Sequence, residues 1–371
     1  MNNTNKGFDY SLLGVISLLF LFGLLLIASA IHVADGGSPK RLFVQTFSFL
    51  IGVAMTFMLR AINYEDLKKY SRLIYVFSIL SMLLVYVPGL GAERGGARGW
   101  IDLKIIDFQP IEIAKLGFII VFAQYLEKNA GKLNSFAALF KASLIPLPIV
   151  ALLLAQPDFG GAMVFFCIIL GMIFVAGTDL KLLAKITAVA LLMLPIAYKY
   201  VFPLVLRPYQ MQRLTSFFSS SSSTTDGGYQ VFRSLVAIAS GGFLGKGPFG
   251  GSQNNLGFLS VSDSDFIFAV CGEEYGVVGM FLLIGLYFLL LYKILDIAMT
   301  AKDLYGSLIV VGVLSIFIYQ FMQNIGMTLG IMPVTGLPLP FVSYGGSSML
   351  MSMLSIALVQ NVATRRRRIN F

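Results

Sequence analysis

Repeated apolar runs of about 20 residues constrain this chain more than any other feature. A hydrocarbon core about 30 Å thick is crossed by a helix of about 20 apolar residues. The chain has 371 residues, of which 57% are hydrophobic and only 12% are charged. A soluble domain is about one quarter charged. The runs predict an all-α polytopic membrane protein, a single transmembrane domain over 1–371. About ten transmembrane helices are expected, near 11–31, 43–60, 72–87, 111–126, 136–155, 161–177, 184–203, 266–295, 307–330 and 343–362.

Basic residues fall mainly in the short loops between these runs, and their distribution predicts the orientation of the chain. Cytoplasmic loops carry an excess of Lys and Arg, and the loops on the side of the N-terminus hold most of them. Both termini are therefore expected in the cytoplasm. The net charge of +9 follows from this topology, so we expect no nucleic-acid partner. The basic cytoplasmic tail, 363–371, contains four arginines that we expect to contact anionic membrane lipid. The short outer loops hold only Lys40, Arg41, Arg94, Arg98 and Lys104.

Two outer loops are unusual. The first, 88–110, is rich in Gly and charge. The second, 204–265, is longer than a compact bundle needs and predicts a large ordered extracellular loop between spans 7 and 8. Within it we expect a flexible Ser219–Ser223 tract, an amphipathic helix that begins near Gly228, and a turn-rich hairpin at 245–251. An ordered loop of this size is more often functional than decorative.

Glu112 and Lys115 stand at the mouth of the fourth run. Pro110 suits the first position of a helix, and residues three apart share one helix face. Intramembrane charges usually mark a functional site, but an internal ion pair that locks helix packing explains these two as well. In the loop before them, Arg98 is a candidate phosphate ligand. Trp100, the only tryptophan, either stacks on a sugar or lies at the lipid interface.

Two carboxylates, Asp263 and Asp265, precede the eighth run. Asp265 lies where a helix begins, so it either caps that helix or serves as a general base. The two roles differ in one respect, because Asn preserves a cap whereas an amide cannot take a proton. The segment 330–348 holds three prolines and cannot be a regular helix. Irregular backbone at membrane depth is either buried or lines a cavity, and Ser343 and Ser347 are the candidate site residues here.

Several kinds of chemistry are not indicated. Cys167 and Cys271 lie in apolar runs, and His32 has no ligand-spaced partner, so we expect neither a disulfide framework nor a metal finger. The sequence has no Walker loop, no dinucleotide fingerprint and no catalytic triad, which argues against ATP as the energy source. The polar groups at the outer mouth of the bundle remain as the candidates for function.

Seven motifs spread along nearly the whole chain match the pattern of one family: Gly96-Ala-Arg-Gly-Trp-Ile, Gln109-Pro-Ile-Glu-Ile-Ala-Lys, Gln156-Pro-Asp-Phe-Gly, Arg207-Pro-Tyr-Gln, Gly228-Tyr-Gln-Val-Phe-Arg-Ser-Leu-Val-Ala-Ile, Asp265-Phe-Ile-Phe-Ala-Val-Cys-Gly-Glu-Glu-Tyr-Gly and Pro333-Val-Thr-Gly-Leu-Pro-Leu-Pro-Phe-Val-Ser-Tyr-Gly-Gly-Ser-Ser. The chain thereby resembles the SEDS proteins (shape, elongation, division and sporulation) RodA, FtsW and SpoVE. The short termini look more like RodA or SpoVE than FtsW.

The resemblance implies a peptidoglycan glycosyltransferase that polymerises lipid II outside the bacterial cytoplasmic membrane. The essential aspartate of the family falls on Asp265, and its conserved residues of the fourth span and the preceding loop fall on Glu112, Lys115, Arg98 and Trp100. Two positions depart from the family pattern. Val261 stands where the family usually has Glu, which leaves Asp263 as the possible second carboxylate, and Ile111 replaces the usual Ser.

On this basis we expect Asp265 to deprotonate the 4-hydroxyl of the acceptor N-acetylglucosamine. That oxygen attacks C1 of the donor N-acetylmuramic acid, and undecaprenyl pyrophosphate leaves with inversion. Cations hold the pyrophosphate, and a divalent ion, Mg²⁺ or Mn²⁺, is left open as a cofactor. The candidate cations and supporting residues are Arg98, Lys115, Arg207, Arg213, Arg233 and Lys246.

The partner implied by the resemblance is a class B penicillin-binding protein, a transpeptidase that crosslinks the new strands. Two alternatives to the enzyme stay open. A lipid II flippase also places polar residues inside a bundle with a cavity wall broken by prolines. A scaffold that only positions the penicillin-binding protein is the other. We expect a role in cell-wall elongation and cell shape, with sporulation or division as the alternative.

Overall fold

The computed structural model describes residues 7–34, 39–94, 97–102, 107–196, 199–200, 226–259 and 261–366. Helices make up most of this part of the chain. The helices are α1 (Tyr10–Ala34), α2 (Lys40–Leu59), α3 (Leu67–Leu83), α4 (Pro110–Lys128), α5 (Phe136–Ser143), α6 (Leu147–Ala155), α7 (Phe159–Val175), α8 (Leu180–Ile196), α9 (Asp226–Gly241), α10 (Ser252–Asn255), α11 (Ile267–Met299), α12 (Leu304–Thr328) and α13 (Gly346–Thr364). The strands are β1 (Gly91–Arg94), β2 (Ala97–Asp102) and β3 (Asp107–Phe108).

The chain is a multi-pass membrane protein. Within the described ranges, six helices are long and apolar enough to cross a membrane, and a seventh span results if α5 and α6 form one bent crossing. α4, α7 and α8 occupy three more of the predicted segments. α7 and α8 have 17 residues each, and α4 carries four charged side chains, so the count of ten spans stays a prediction.

α12 and α13 form the centre of the bundle. In each, 78% of an apolar 18-residue stretch is buried inside the protein, compared with 28% of such a stretch in α11. α12 packs against α4, α7, α11 and α13, and α13 packs tightly against α2. Close packing here depends on small residues, which let helices approach in a membrane. A Cβ placed on Gly312 of α12 would lie 2.8 Å from Ile119 of α4.

A small antiparallel sheet with strand order β1-β2-β3 occupies the 88–110 loop. Ala92 pairs with Trp100, and Ile101 pairs with Phe108 on the other side of β2. The sheet is an addition to the all-α prediction. It leads directly into α4, so it fixes where that helix starts.

The 204–265 loop is described only in part, because residues 201–225 and 260 lie outside the described ranges. The predicted Ser219–Ser223 tract falls in that gap. The predicted amphipathic helix is confirmed as α9, which ends at Gly241 and is followed by Gly242 with a φ of 58°, as a glycine after a helix permits. α9 packs against α11. Whether this loop lies outside the cell is not tested and stays a prediction.

At the opposite end of the bundle, the first residues are tied to the last helix. Asp9 and Gln360 exchange two hydrogen bonds, Asp9 N–H to Gln360 Oε1 at 3.1 Å and Gln360 Nε2 to Asp9 O at 2.7 Å. Burial alone would raise the pKa of Asp9, but hydrogen bonds from Ser11 and Leu12 and the nearby cations lower it overall. Arg366 is one of those cations, so this arginine of the C-terminal run contacts the protein itself.

Candidate functional site

The turn before α11 presents Asp265. Three backbone N–H groups, those of residues 264–266, donate to the carbonyl of Val261 at 3.1–3.4 Å. Val261 has a φ of 56°, a left-handed conformation that is rare for a β-branched residue. The N-cap residue of α11 is Phe266. Asp265 therefore lies one residue before the cap position, and its half-buried side chain accepts a hydrogen bond from the Ser264 hydroxyl at 3.1 Å.

Three consecutive carbonyls of this turn are held by neighbouring segments. The donors come from α12 and from the irregular segment before α13, which are distant in sequence from the turn. Such bonds restrain the backbone of the turn from which the Asp265 side chain projects. The three bonds are Tyr344 N–H to Asp263 O at 2.8 Å, Ser343 Oγ to Ser264 O at 2.6 Å, and Asn324 Nδ2 to Asp265 O at 3.0 Å.

Asp263 is committed to an ion pair. Its side chain is 9% exposed, and its Oδ2 lies 2.6 Å from a guanidinium nitrogen of Arg41, at the start of α2. The guanidinium also lies over the ring of Tyr344, 5.6 Å from its centroid. Arg41 was not among the predicted site residues. The only signal for it in the sequence was its place among the few basic residues of the outer loops.

The irregular segment between α12 and α13 is buried at 339–343 and partly exposed at most positions before them, and side chains satisfy several of its carbonyls. Gln323 donates to the carbonyl of Pro333 at 2.7 Å, and Gln45 donates to that of Ser343 at 2.9 Å. Gly336 faces the site with a φ of 71°, and a Cβ added there would lie 3.4 Å from Oδ2 of Asp265.

Glu112 and Lys115 form the expected i,i+3 ion pair, 2.7 Å apart and buried, on the first turns of α4. Pro110 opens this helix, as predicted. The pair interacts electrostatically with Asp158, which the sequence had shown only as part of a family motif. Asp158 caps α7 through the Gly161 N–H at 2.7 Å.

The pair and Asp265 lie on two sides of the same backbone segment. A Cβ on Gly160 of α7 would lie 3.2 Å from Thr335, a neighbour of Gly336, and one on Gly161 would lie 2.2 Å from Ile111 beside Glu112. An added Cβ at either position would force its neighbour to move. α7 thereby brings α4 and the Asp265 turn together around residues 335–337.

The other predicted site residues have diverse surroundings. Arg233 of α9 is held between two aromatic rings, 4.9 Å from the centroid of Tyr229 and 4.2 Å from that of Phe258. Lys246 is paired with Glu273 of α11 at 2.7 Å. Ser347 is 5% exposed and accepts from the Gln109 N–H at 3.4 Å, and Trp100 is half-buried in β2. Arg207, Arg213 and the side chain of Arg98 lie outside the described parts of the chain.

No three or more His, Cys, Asp or Glu side chains within the described ranges group closely enough to hold a metal ion. Cys167 and Cys271 are both free. The arrangement instead presents the partly exposed Asp265 carboxylate on a restrained turn, together with the Asp263–Arg41 and Glu112–Lys115 ion pairs. Such a carboxylate is suited to accept a proton from a substrate hydroxyl.

Comparison with known proteins places this geometry in a family. The model of the FtsW/RodA/SpoVE family, described as cell cycle proteins, matches residues 9–368. The chain belongs to this family. Stage V sporulation protein E of Bacillus subtilis is 34% identical over 98% of this chain and 99% of its own. A probable peptidoglycan glycosyltransferase FtsW of Geobacter sp. (strain M18) is 32% identical, with 98% of each chain covered.

A solved structure extends the similarity to three dimensions. It is the structure of a peptidoglycan synthase complex that coordinates polymerization and crosslinking. The superposition has a TM-score of 0.82 at 31% identity and covers 97% of this chain and 98% of that one. Because the match spans both chains almost completely, the family fold extends through the site as well as the bundle.

Proposed function

We propose that this chain polymerises lipid II into glycan strands at the outer face of the bacterial cytoplasmic membrane, with Asp265 as the general base. Family membership gives the enzyme class: the chain is a peptidoglycan glycosyltransferase. The observation that carries the residue assignment is the turn before α11. It fixes three successive carbonyls while the Asp265 carboxylate stays partly exposed.

The proposed step needs one base and one leaving group. Asp265 takes the proton of the acceptor N-acetylglucosamine 4-hydroxyl as its oxygen attacks C1 of the donor N-acetylmuramic acid. The new C1–O bond forms on the face opposite the pyrophosphate, whose bond to C1 breaks with its electron pair. The configuration at C1 is inverted, as expected for direct displacement without a covalent enzyme intermediate.

Cations stabilise the departing undecaprenyl pyrophosphate in this proposal. Arg233 suits this role best among the candidates in the described part of the chain. Its aromatic neighbours hold the guanidinium plane in place, which favours planar phosphate recognition. Lys115 and Lys246 already face carboxylates at 2.7 Å, so we assign them to support. Arg98, Arg207 and Arg213 remain candidates by family resemblance.

A divalent cation would find too few ligands from side chains alone, since no acidic cluster of three occurs within the described ranges. Mg²⁺ usually takes one or two carboxylates together with substrate phosphates, which leaves Asp265 and the pyrophosphate as its possible ligands. The proposed step therefore uses side chains only.

The proposal extends to topology and partner. Most of the basic short-loop residues lie at the end of the bundle opposite Asp265, so the positive-inside tendency supports cytoplasmic termini and an extracellular site. The similarity to a synthase complex that coordinates polymerization with crosslinking supports a class B penicillin-binding protein as partner. A role in elongation and cell shape is the form that we propose, with sporulation or division as the alternative setting.

Substitution of Asp265 by Asn tests the assignment. The purified variant is expected to keep its fold, judged by size-exclusion profile and thermal unfolding, and to lose about 100-fold or more of its polymerisation of labelled lipid II. Asp66→Asn is the control, because Asp66 is an exposed carboxylate near Lys69 in the turn before α3. Strand synthesis by Asp265→Asn at the wild-type rate would refute the base assignment. Transport of lipid II without polymerisation by the wild-type protein would favour the flippase.

A further inference from the structure

α11 is broken near its first quarter. Gly276 has φ 63° and ψ −160° inside an otherwise continuous 33-residue helix. That backbone conformation is essentially restricted to glycine. The break separates residues 267–275, which begin two positions after Asp265, from the longer segment 277–299 that crosses the bundle. The short segment 267–275 therefore needs contacts of its own to keep its position.

The loop that follows α9 supplies those contacts. We call residues 242–257 the clasp loop. Four backbone hydrogen bonds join it to the helix on both sides of the break, and they replace bonds that the broken helix lacks. They are Lys246 N–H to Glu273 O at 3.0 Å, Gly247 N–H to Glu274 O at 2.9 Å, Val277 N–H to Gly242 O at 3.1 Å and Val278 N–H to Phe243 O at 3.3 Å.

The two backbones approach closely enough to require glycine on each side. A Cβ placed on Gly245 would lie 2.1 Å from the carbonyl oxygen of Glu274, and one placed on Gly276 would lie 2.4 Å from the nitrogen of Gly245. Because no side chain fits between them, the loop and the helix break form one interlocked unit. A shift of the clasp loop must therefore shift residues 267–275.

Glu273 fastens this unit through its side chain. The carboxylate is 1% exposed and receives Lys246 Nζ at 2.7 Å, the Ser252 hydroxyl at 3.0 Å and the Gln253 N–H at 3.0 Å. These three donors belong to the clasp loop, and the Ser240 hydroxyl of α9 donates a longer bond to the same carboxylate at 3.4 Å. A buried carboxylate that keeps its charge needs such a set of donors. Its neighbour Glu274 is held on the other side by the Ser29 hydroxyl of α1.

We infer that Glu273 and Lys246 are positioning residues: they hold residues 267–275 of α11 in place and thereby aim the Asp265 carboxylate at the acceptor hydroxyl. This inference rests on the proposed function, in which Asp265 is the base. Neither residue contacts the substrate in this role. A base held about 1 Å from its productive position can lose about 100-fold in rate, while substrate affinity is carried elsewhere in the site.

The first test separates turnover from binding. Glu273→Gln keeps the shape of the side chain and removes its charge, so we expect kcat per monodisperse protein to fall about 100-fold with KM for lipid II close to wild type. The double variant Glu273→Gln/Lys246→Met leaves no unpaired charge and should match the single variant, because one interaction has been removed twice. It also keeps the test available where the single variant folds poorly.

The matched control is the ion pair Lys68–Glu127 between α3 and α4. Its 2.8 Å separation and 29% lysine exposure resemble the 2.7 Å and 28% of Lys246–Glu273. Lys68→Met/Glu127→Gln should leave kcat at the wild-type value. An unchanged kcat in Glu273→Gln, or a raised KM at constant kcat, would overturn the positioning role.

Hydrogen exchange gives a readout that does not depend on catalysis. In Glu273→Gln, the amides of Lys246 and Gly247 and those of residues 267–275 should exchange faster, whereas the control pair should leave them unchanged. Full activity of Asp265→Asn would refute Asp265 as the base. Faster exchange in Glu273→Gln would then still show that Glu273 holds the clasp loop against residues 267–275. Unchanged exchange in Glu273→Gln would remove the clasp while leaving the base assignment intact.

Discussion

At the scale of single residues, Asn324 joins two distant parts of the candidate site. It is fully buried in α12, and its Nδ2 donates to the carbonyls of Asp265 at 3.0 Å and Leu337 at 2.9 Å. Leaving a buried carbonyl unpaired costs on the order of 1–3 kcal/mol. Asn324→Ala is therefore expected to lower the free energy of unfolding by about 2 kcal/mol or more and to reduce polymerisation, because the Asp265 turn loses one of its three fixed carbonyls.

Denaturant unfolding in detergent measures this effect. Asn129→Ala is the control, since its amide makes only a local bond to the Tyr125 carbonyl within the same helix end, at 2.8 Å. Equal losses of unfolding free energy in the two variants would mean that the long-range bonds of Asn324 stabilise the protein no more than a local bond does.

At the same scale, the sequence predicted a pairing within one helix better than pairings between distant segments. The Glu112–Lys115 ion pair followed from i,i+3 spacing, and the structure contains it. The pairing of Asp263 with Arg41 was not predicted. It joins residues more than 200 positions apart, and no local rule connects them. Asp158 was overlooked as a separate charge for a similar reason, since its neighbour Lys115 lies on another helix.

At the scale of elements, the break in α11 makes a testable distinction between two glycines of one helix. A side chain at Gly276 meets both a glycine-only backbone conformation and the clasp loop at 2.4 Å. Gly276→Ala is expected to lower stability by about 1–3 kcal/mol or more. Gly285 has no heavy atom within 4 Å of an added Cβ, so Gly285→Ala should raise stability by up to about 1 kcal/mol through helix propensity.

Thermal unfolding of the two purified variants checks the distinction. The sign of the change is the decisive readout, because both substitutions add the same methyl group to the same helix. Destabilisation of similar size at both positions would contradict the broken helix and favour a continuous one.

Apolar runs predicted most helices, whereas the bends and breaks within them could be recognised only in the folded structure. The segment 136–155 was predicted as one span, but α5 and α6 meet at a bend of 52°. Pro146 and Pro148 explain the bend, since proline removes a helix hydrogen bond and clashes with the preceding turn. The break at Gly276 was not predicted, because a lone glycine in an apolar run is tolerated in a helix. Only its contact with the clasp loop distinguishes it.

At the scale of the whole molecule, the two ends of the bundle differ in chemistry. One end carries the small sheet, the Asp265 turn and the Glu112–Lys115 pair. The other carries exposed or half-buried ion pairs of lysine, such as Lys302–Glu65 at 2.9 Å, and the C-terminal arginines. The sequence could predict this polarity because loop charge is local in the chain. It could not predict the site itself, which is assembled from α2, α4, α11, α12 and the segment before α13.

This polarity leads to a prediction about orientation that does not depend on catalysis. Two exposed positions, Glu93 in β1 and Lys302 before α12, report opposite ends. In a background with Cys167→Ala and Cys271→Ala, Glu93→Cys should react with a membrane-impermeant maleimide in intact cells. Lys302→Cys should react only after permeabilisation, because the excess of Lys and Arg holds its end in the cytoplasm. The reverse labelling pattern would place Asp265 inside the cell and end the proposal of an extracellular site.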